Sequence, residues 1–492
     1  MFCLVGIGLV GYSQDNKMTD SRYPEYLVRA FKGFLDMGIE VYLIGPRARE
    51  LALDQTISDH HSFDLTVDAP FSTIETIMFE IFRTGADPVD EERPRIITFK
   101  IPKDGDHITF NIGPFRNYLP PLKSLQNHNL RGIILDLATR EITIQAFGYD
   151  INGTLIDPFG GVSDLENKKI RPILPVNTIF RESGGWLLKM GRYISRYGFE
   201  PSPDAFEEAS QNAMFVMDVP RDVWRKEMDK LLGDHNPRMG LQFMAESGVL
   251  SYILPEIQSL YTFSQQSQEE EHKNVWDHTL KVIEKCPVDL TLRWAALFHD
   301  VGKVWTKRKD RDGRIHFLRH EDLSAILFEG IWRRFQIPEQ TARKIHFIIK
   351  HHSRINLYRK EWTDSAIRRI IREMGPNLND LVEFSKCDLT SRREKRVQMI
   401  RSLLTELQIR IKDIREADEE KSILPKGIGN SIIENFNLSP GPTVGKIRAR
   451  LADLVEKGTL ERNAEHEVYI DYLKQHPELL IDKKQEEDME TK

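Results

Sequence analysis

At 492 residues the chain has room for about two to four domains, and its 40% hydrophobic and 29% charged content is that of a soluble globular protein, which excludes fibrous and disordered classes. A net charge of −6 supplies no global field for nucleic acid, so any RNA contact has to rest on local basic patches. Three cysteines (Cys3, Cys286, Cys387), none in a CxxC pair, exclude a disulfide framework and fit a reducing compartment.

The opening MFCLVGIGLVGY is apolar but too short to span a bilayer, and it lacks a basic flank and an A-x-A site. Met18 is therefore the expected natural start, with residues 1–17 an extension and the protein cytoplasmic, without a membrane partner. The pattern from Tyr26 to Met37 predicts a helix that Gly38 ends. EVYLIGPRARELAL reads as a short strand, a Gly-Pro turn and a helix start. SFDLTVDAP reads as a second strand with Ser62, Asp64, Thr66 and Asp68 on one face. Thr73–Arg83 is helical, and Arg95–Ile101 pairs with His107–Ile112 across an Asp104-Gly105 turn.

Further along, LRWAALFHDVGK (Leu292–Lys303) is an apolar helix that ends on adjacent His299 and Asp300. Alone, such a pair is better explained by capping or hydrogen bonding. It is accompanied, each time near an apolar helical segment, by His278, His320, His351, His352 and Asp388. Imidazole and carboxylate together suit a divalent Mn, Fe, Co, Ni, Zn or Mg, whose identity and number stay open. The order and the HDVGK context resemble the HD metal-dependent phosphohydrolases. That resemblance implies His278, His299, Asp300 and Asp388 as metal ligands, and His320, His351 and His352 as second-metal ligands or phosphate contacts. Asp300 and Lys303 are the expected catalytic residues, although a lysine in a helix's last turn also suits the helix dipole.

The segment DPFGG (Asp157–Gly161) with Asp164, Leu165, Lys169 and Arg171 resembles the class II tRNA nucleotidyltransferase and poly(A) polymerase family, and the likeness runs from Pro24 to about Leu480. It implies an α+β nucleotidyltransferase-like head, a mixed sheet with helices, followed by an all-α neck, an HD helical domain and a helical tail, mostly α overall. The expected spans are head 18–175, neck 176–262, HD domain 263–400, tail 401–480 and a disordered end 481–492. tRNA or other RNA, or a phosphorylated nucleotide, is the implied partner. Arg368, Arg369 and Arg372, the run Arg392, Arg393, Lys395 and Arg396, and Lys446, Arg448 and Arg450 are candidate RNA contacts, or else a solvated face.

The head departs from the family's motifs. Two carboxylates on one strand hold two Mg²⁺ in nucleotidyl transfer; the positions here are Ser62 and Asp64, and Asp68 lies roughly 13 Å beyond Asp64 at strand rise. The phosphate-cradling GG turn is Gly45-Pro46, and proline has no N–H to donate. The RD that follows is Arg49-Glu50, RRDFTINA becomes Thr139-Arg140-Glu141 through Ala146, and the base-reading EDxxR becomes Glu182 through Trp186. Gly45, Arg49, Asp64 and Arg140 remain as nucleotide-binding residues, and the substitutions argue against Mg²⁺ at the head. The resulting expectation is a metal-dependent HD phosphohydrolase, a phosphodiesterase or phosphatase on nucleotides or RNA ends, carried on a scaffold whose transferase site is inactive. The alternatives are an active CCA-adding or poly(A) nucleotidyltransferase and a non-catalytic RNA-binding regulator.

Overall fold

The computed structural model describes residues 22–57, 60–87, 96–103, 105–116, 132–266, 274–312, 314–390, 394–420 and 423–480. The extension 1–17, Met18, Arg392, Arg393 and the end 481–492 lie outside them. The chain divides into two compact units, Met1–His352 with Cys387–Thr390, and Ser353–Lys386 with Ser391–Lys492. No helix among the described residues is long and apolar enough to cross a membrane.

The first unit opens with a helix, Glu25–Asp36, that buries Leu27, Ala30, Phe31 and Phe34, one apolar stripe at helical spacing. Gly38 ends it in the left-handed region (φ 72°), where only glycine is at ease. A six-stranded mixed sheet follows: β1 (Val41–Ile44), β2 (Ser62–Val67), β3 (Ile97–Lys103), β4 (Asp106–Pro114), β5 (Gly148–Tyr149) and β6 (Leu155–Ile156). Its order is β3-β4-β2-β1-β5-β6, with β2 parallel to β4 and every other pair antiparallel. All of β1 is buried, as suits an interior strand. The expected hairpin is β3–β4, turning at Gly105 (φ 87°).

The DPFGG segment is structural in this head. Asp157 accepts the Gly161 and Val162 N–H groups at 2.7 and 2.9 Å, capping the helix Gly161–Glu166. Arg171 then donates to Asp164 at 2.9 Å and to the Phe159 carbonyl at 2.8 Å. Beneath the sheet, fully buried Asp136 accepts from Arg140 (2.6 Å), the Arg116 N–H (3.0 Å) and the Thr66 hydroxyl (3.3 Å).

The rest of the first unit is helical. Gly185–Tyr197 and Pro237–Glu246 cross so closely that a Cβ on Gly240 would lie 2.4 Å from the Gly191 carbonyl oxygen. The later helices Val275–Lys285, Leu290–Phe298, His320–Arg334 and Glu339–His351 enclose an aromatic core in which Phe298 meets Trp294 at 6.1 Å and Phe328 at 5.4 Å. The second unit contains the 27-residue helix Glu394–Glu420 and a bundle of Ile428–Phe436, Pro442–Glu456 and His466–Gln475. Ile432, Ile447, Leu451, Tyr469 and Leu473 form its core.

Because buried Asp136 holds three donors, Asp136→Ala leaves the Arg140 guanidinium and a backbone N–H without this partner. Denaturant unfolding should show a loss of about 3 kcal/mol, the cost of breaking a buried pair.

Candidate functional site

Two constellations stand out, both within the first unit. In the HD region, Asn274 caps the helix Val275–Lys285 that carries His278, and Asp289 caps the apolar helix Leu290–Phe298 that delivers His299 and Asp300. His320 opens the helix His320–Arg334, His352 follows Glu339–His351, and Asp388 belongs to the short stretch Cys387–Thr390.

Four imidazoles are oriented in one manner. The Nδ1–H groups of His299, His320 and His352 donate to the carbonyls of Ala296, Phe317 and Ile349, each at 2.8 Å, and His278 Nδ1 meets the Thr390 hydroxyl at 2.6 Å. Every Nε2 therefore faces inward, the arrangement that fixes tautomer and direction in a metal-ligating histidine. His278 Nε2 lies 3.2 Å from His299 Nε2, 3.0 Å from Asp388 Oδ1 and 3.3 Å from Asp300 Oδ2. On the other side of Asp300, Oδ1 lies 3.3 Å from His320 Nε2 and 3.8 Å from His352 Nε2. The donors form two triads, His278, His299 and Asp388, and Asp300, His320 and His352.

Charge is concentrated here away from the surface, with His299, Asp300 and His352 buried. Burial alone would lower the His299 pKa, but the Asp300 charge and hydrogen bonds to Asp300 and Asp388 outweigh it and raise the value to about 10. Burial likewise works against ionised Asp300, yet His299, Lys303 and His278 hold it well below the usual carboxylate range. His352 goes the other way: burial, helped by the charge on His299, pushes it down to about 4. Asp300 Oδ1 is buried without a hydrogen-bond donor. Inward-facing nitrogens and an orphaned carboxylate oxygen fit a divalent cation, which supplies the partner that these groups otherwise lack.

Six of the seven expected ligands thus converge. His351 stands outside both triads, with its ring against Phe347 at 4.5 Å. With His352 turned toward the other ligands, the helix phase carries His351 about 100° round, to its place against Phe347. Lys303 Nζ pairs with Asp300 Oδ2 at 2.6 Å.

The second constellation is a cavity of about 700 Å³ in the head, lined by Gly45, Arg49, Ser62, Asp64, Arg116, Arg140, Glu141, Gln145, Arg196 and Tyr197. The strand register puts Ile44 opposite Asp64 and Asn111 on its other side, where Asn111 donates to Asp64 Oδ1 at 2.9 Å. Gly45 turns in the left-handed region (φ 73°), and a Cβ there would lie 2.5 Å from Asp64 Oδ2. Only glycine lets the turn approach the carboxylate so closely. Pro46 falls in the first turn of the helix Gly45–Ala52, where its missing N–H breaks no helical bond. Glu141 is a strut. Burial would raise its pKa, but Lys189 and Arg192 on the neck helix hold it below the usual range, and the Tyr193 hydroxyl donates to it as well.

At the position of the family's base reader, a Cβ on Gly184 would lie 1.9 Å from the Phe215 carbonyl oxygen, and Trp186 is buried. Arg116, Gln145, Arg196 and Tyr197 were not singled out from the sequence. Arg196 and Tyr197 lie on the neck helix, and no local pattern marks residues that only the fold brings to the head. The RNA candidates Arg368 and Arg369 are engaged by Asp418 (2.9 Å) and Glu373 (3.6 Å), and Lys446 is exposed on the helix Pro442–Glu456.

A poly(A)-polymerase-type head joined to an HD domain is what these features define. Family models described as "Poly A polymerase head domain", "Probable RNA and SrmB- binding site of polymerase A" and "HD domain" match residues 41–171, 198–260 and 275–419. The chain belongs to the class II tRNA nucleotidyltransferase and poly(A) polymerase family, and it is an enzyme. It is 26% identical over 333 residues to the multifunctional CCA protein of Pseudomonas paraeruginosa (strain DSM 24068 / PA7), covering 64% of this chain and 75% of that one. Against the multifunctional CCA protein of Chromobacterium violaceum it is 23% identical over 389 residues, covering 76% and 85%. The crystal structure of the Bacillus stearothermophilus CCA-adding enzyme in complex with CTP shares the fold, with a TM-score of 0.51, 20% identity, and coverage of 92% of this chain and 97% of that one.

These relatives overturn the expected phosphohydrolase on an inactive head. They align over most of their length and are multifunctional CCA proteins. The geometry gives the reason: the substitutions leave Asp64, the Gly45 turn and several guanidiniums around a well-formed cavity. The HD domain and the family together imply divalent-metal binding.

Asp300→Asn should remove divalent metal from the purified protein by elemental analysis. Thr390→Val, which frees His278 Nδ1, should weaken metal affinity about tenfold or more. Since the imidazoles ligate only when neutral, affinity should rise with pH and uptake should release protons, readable in weakly buffered titrations.

Proposed function

We propose that the chain is a CCA-type tRNA nucleotidyltransferase working in the head cavity, and that His278, His299, Asp300, His320, His352 and Asp388 hold divalent metal in the HD region. The observation that carries the first part is the convergence of Asp64 with Arg49, Arg116, Arg140 and Arg196 around one cavity. An incoming CTP or ATP carries its charge on the triphosphate, and guanidiniums at the cavity wall neutralise it. The 3′ hydroxyl of the RNA gives up its proton to solvent and attacks the α-phosphorus, the new phosphodiester forms, and pyrophosphate leaves with the electron pair of the broken P–O bond. Asp64 lies beside the Gly45 turn, where the reacting phosphate sits in this reading.

The donors present fit one Mg²⁺, held by Asp64 and the substrate phosphates, and not a pair spanning Ser62 and Asp64. When bound, that ion supplies charge neutralisation at the phosphoryl oxygens. Arg49 rests 5.5 Å over the Tyr197 ring, which holds its guanidinium at the cavity wall. With Gly184 packed and Trp186 buried, nucleotide choice falls to the groups that do face the cavity, Gln145 and Tyr197, joined by a 2.9 Å hydrogen bond.

Incubation with a tRNA lacking its 3′ end, CTP, ATP and Mg²⁺ should give extended product on a sequencing gel. Asp64→Asn should slow extension by about a thousandfold, the scale of lost charge stabilisation in a transition state. Ser62→Asp, which restores a second carboxylate, should speed it by about tenfold. No extension by the wild-type protein, under conditions where a relative extends, sinks the proposal.

A further inference from the structure

The second unit has a cavity of its own, of about 1060 Å³, that the proposed reaction does not use. Its walls come from the helices Asp364–Met374, Glu394–Glu420 and Pro442–Glu456 and from the loop at residues 424–427. Five cationic side chains line it, Arg368, Arg372, Arg415, Lys426 and Arg448, against one carboxylate, Asp418. Arg368 takes that carboxylate with both Nε and Nη2 at 2.9 Å. Among the described residues no carboxylate pairs with Arg372, Arg415 or Arg448. Like charges gathered in a concave wall raise the energy of the empty cavity and focus the field on an anion. Gly427, left-handed at φ 90°, brings the N-terminus of the nine-residue helix Ile428–Phe436 to the same wall, adding its positive dipole end.

The remaining lining is apolar. Ile371, Leu424 and Pro425 give the cavity a floor that a bare inorganic anion does not need. The volume lies just above that of pockets for drug-sized ligands, roughly 300–1,000 Å³, so a nucleotide has room. Charge and floor together match a phosphate attached to a flat or apolar body.

We propose that this cavity is a second nucleotide-binding site, separate from the head, with phosphate on Arg372, Arg415 and Arg448 and the nucleoside against Ile371, Leu424 and Pro425. The nucleotide is a free one, distinct from the RNA strand that the family already implies as a partner. The site does not depend on transfer at the head.

Calorimetric titration of the full chain with ADP, and separately with a short single-stranded RNA, tests it in wild type, in Arg372→Gln with Arg415→Gln, and in a control, Arg343→Gln with Arg401→Gln, that removes equal charge elsewhere. Loss of one equivalent of ADP only in the cavity variant supports a free nucleotide. Unchanged ADP binding with RNA affinity about tenfold weaker, and a salt slope shallower by about one to two, overturns it in favour of a plain RNA contact. No change in either ligand, or equal loss in the control, overturns the proposal. Extension assays on the same variants report the head independently.

Discussion

The register of β2 between β1 and β4 is the constraint from which the head site follows. Pairing with β1 on one edge and β4 on the other fixes which β2 side chains face the cavity, and a slip of one residue would turn Asp64 into the core. The same pairing carries the chain from Ile44 into a turn directly against Asp64, and the closeness of that approach makes glycine obligatory at position 45. Buried β1 and the aromatic contacts around Phe63 and Phe110 hold the register. The geometry of the cavity wall is thus a by-product of sheet packing, and it survives changes in the polar letters placed on it.

The HD region solves a different problem, that of keeping charge in a dry place. Backbone carbonyls and one hydroxyl occupy the outer nitrogens of four histidines, leaving the inner nitrogens no freedom to turn away. Asp300 sits between the triads, each oxygen toward one of them. Removal of a single member leaves others buried without partners, so the six residues stand or fall together.

Much of this was legible in the chain. The helix expected over Tyr26–Met37 is Glu25–Asp36, and the hairpin turns at Gly105, because local pattern and turn chemistry decide both. Six residues of the candidate metal site could be read because each lies near an apolar helical segment; His351 could not be separated from His352 without the helix phase. Long-range partners were out of reach. Nothing near Arg368 announces Asp418, 50 residues away, and nothing near Arg196 announces the head. The functional reading erred for a related reason. Counting lost motif letters weighed Pro46 as a missing amide, although the first helical turn has no bond for it to make, and gave no weight to guanidiniums arriving from elsewhere.

That proline also changes what kind of grip the head has. Peptide amides hold an anion through fixed dipoles that barely respond to dissolved ions, whereas guanidiniums on long stems hold it through net charge that counter-ions compete for. A pocket walled by Arg49, Arg116, Arg140 and Arg196 is therefore tuned by the ionic strength around it, tight in dilute solution and forgiving of release in concentrated solution. In the proposed reaction, preference for a triphosphate over shorter phosphates would grow with the number of arginines a ligand can reach at once.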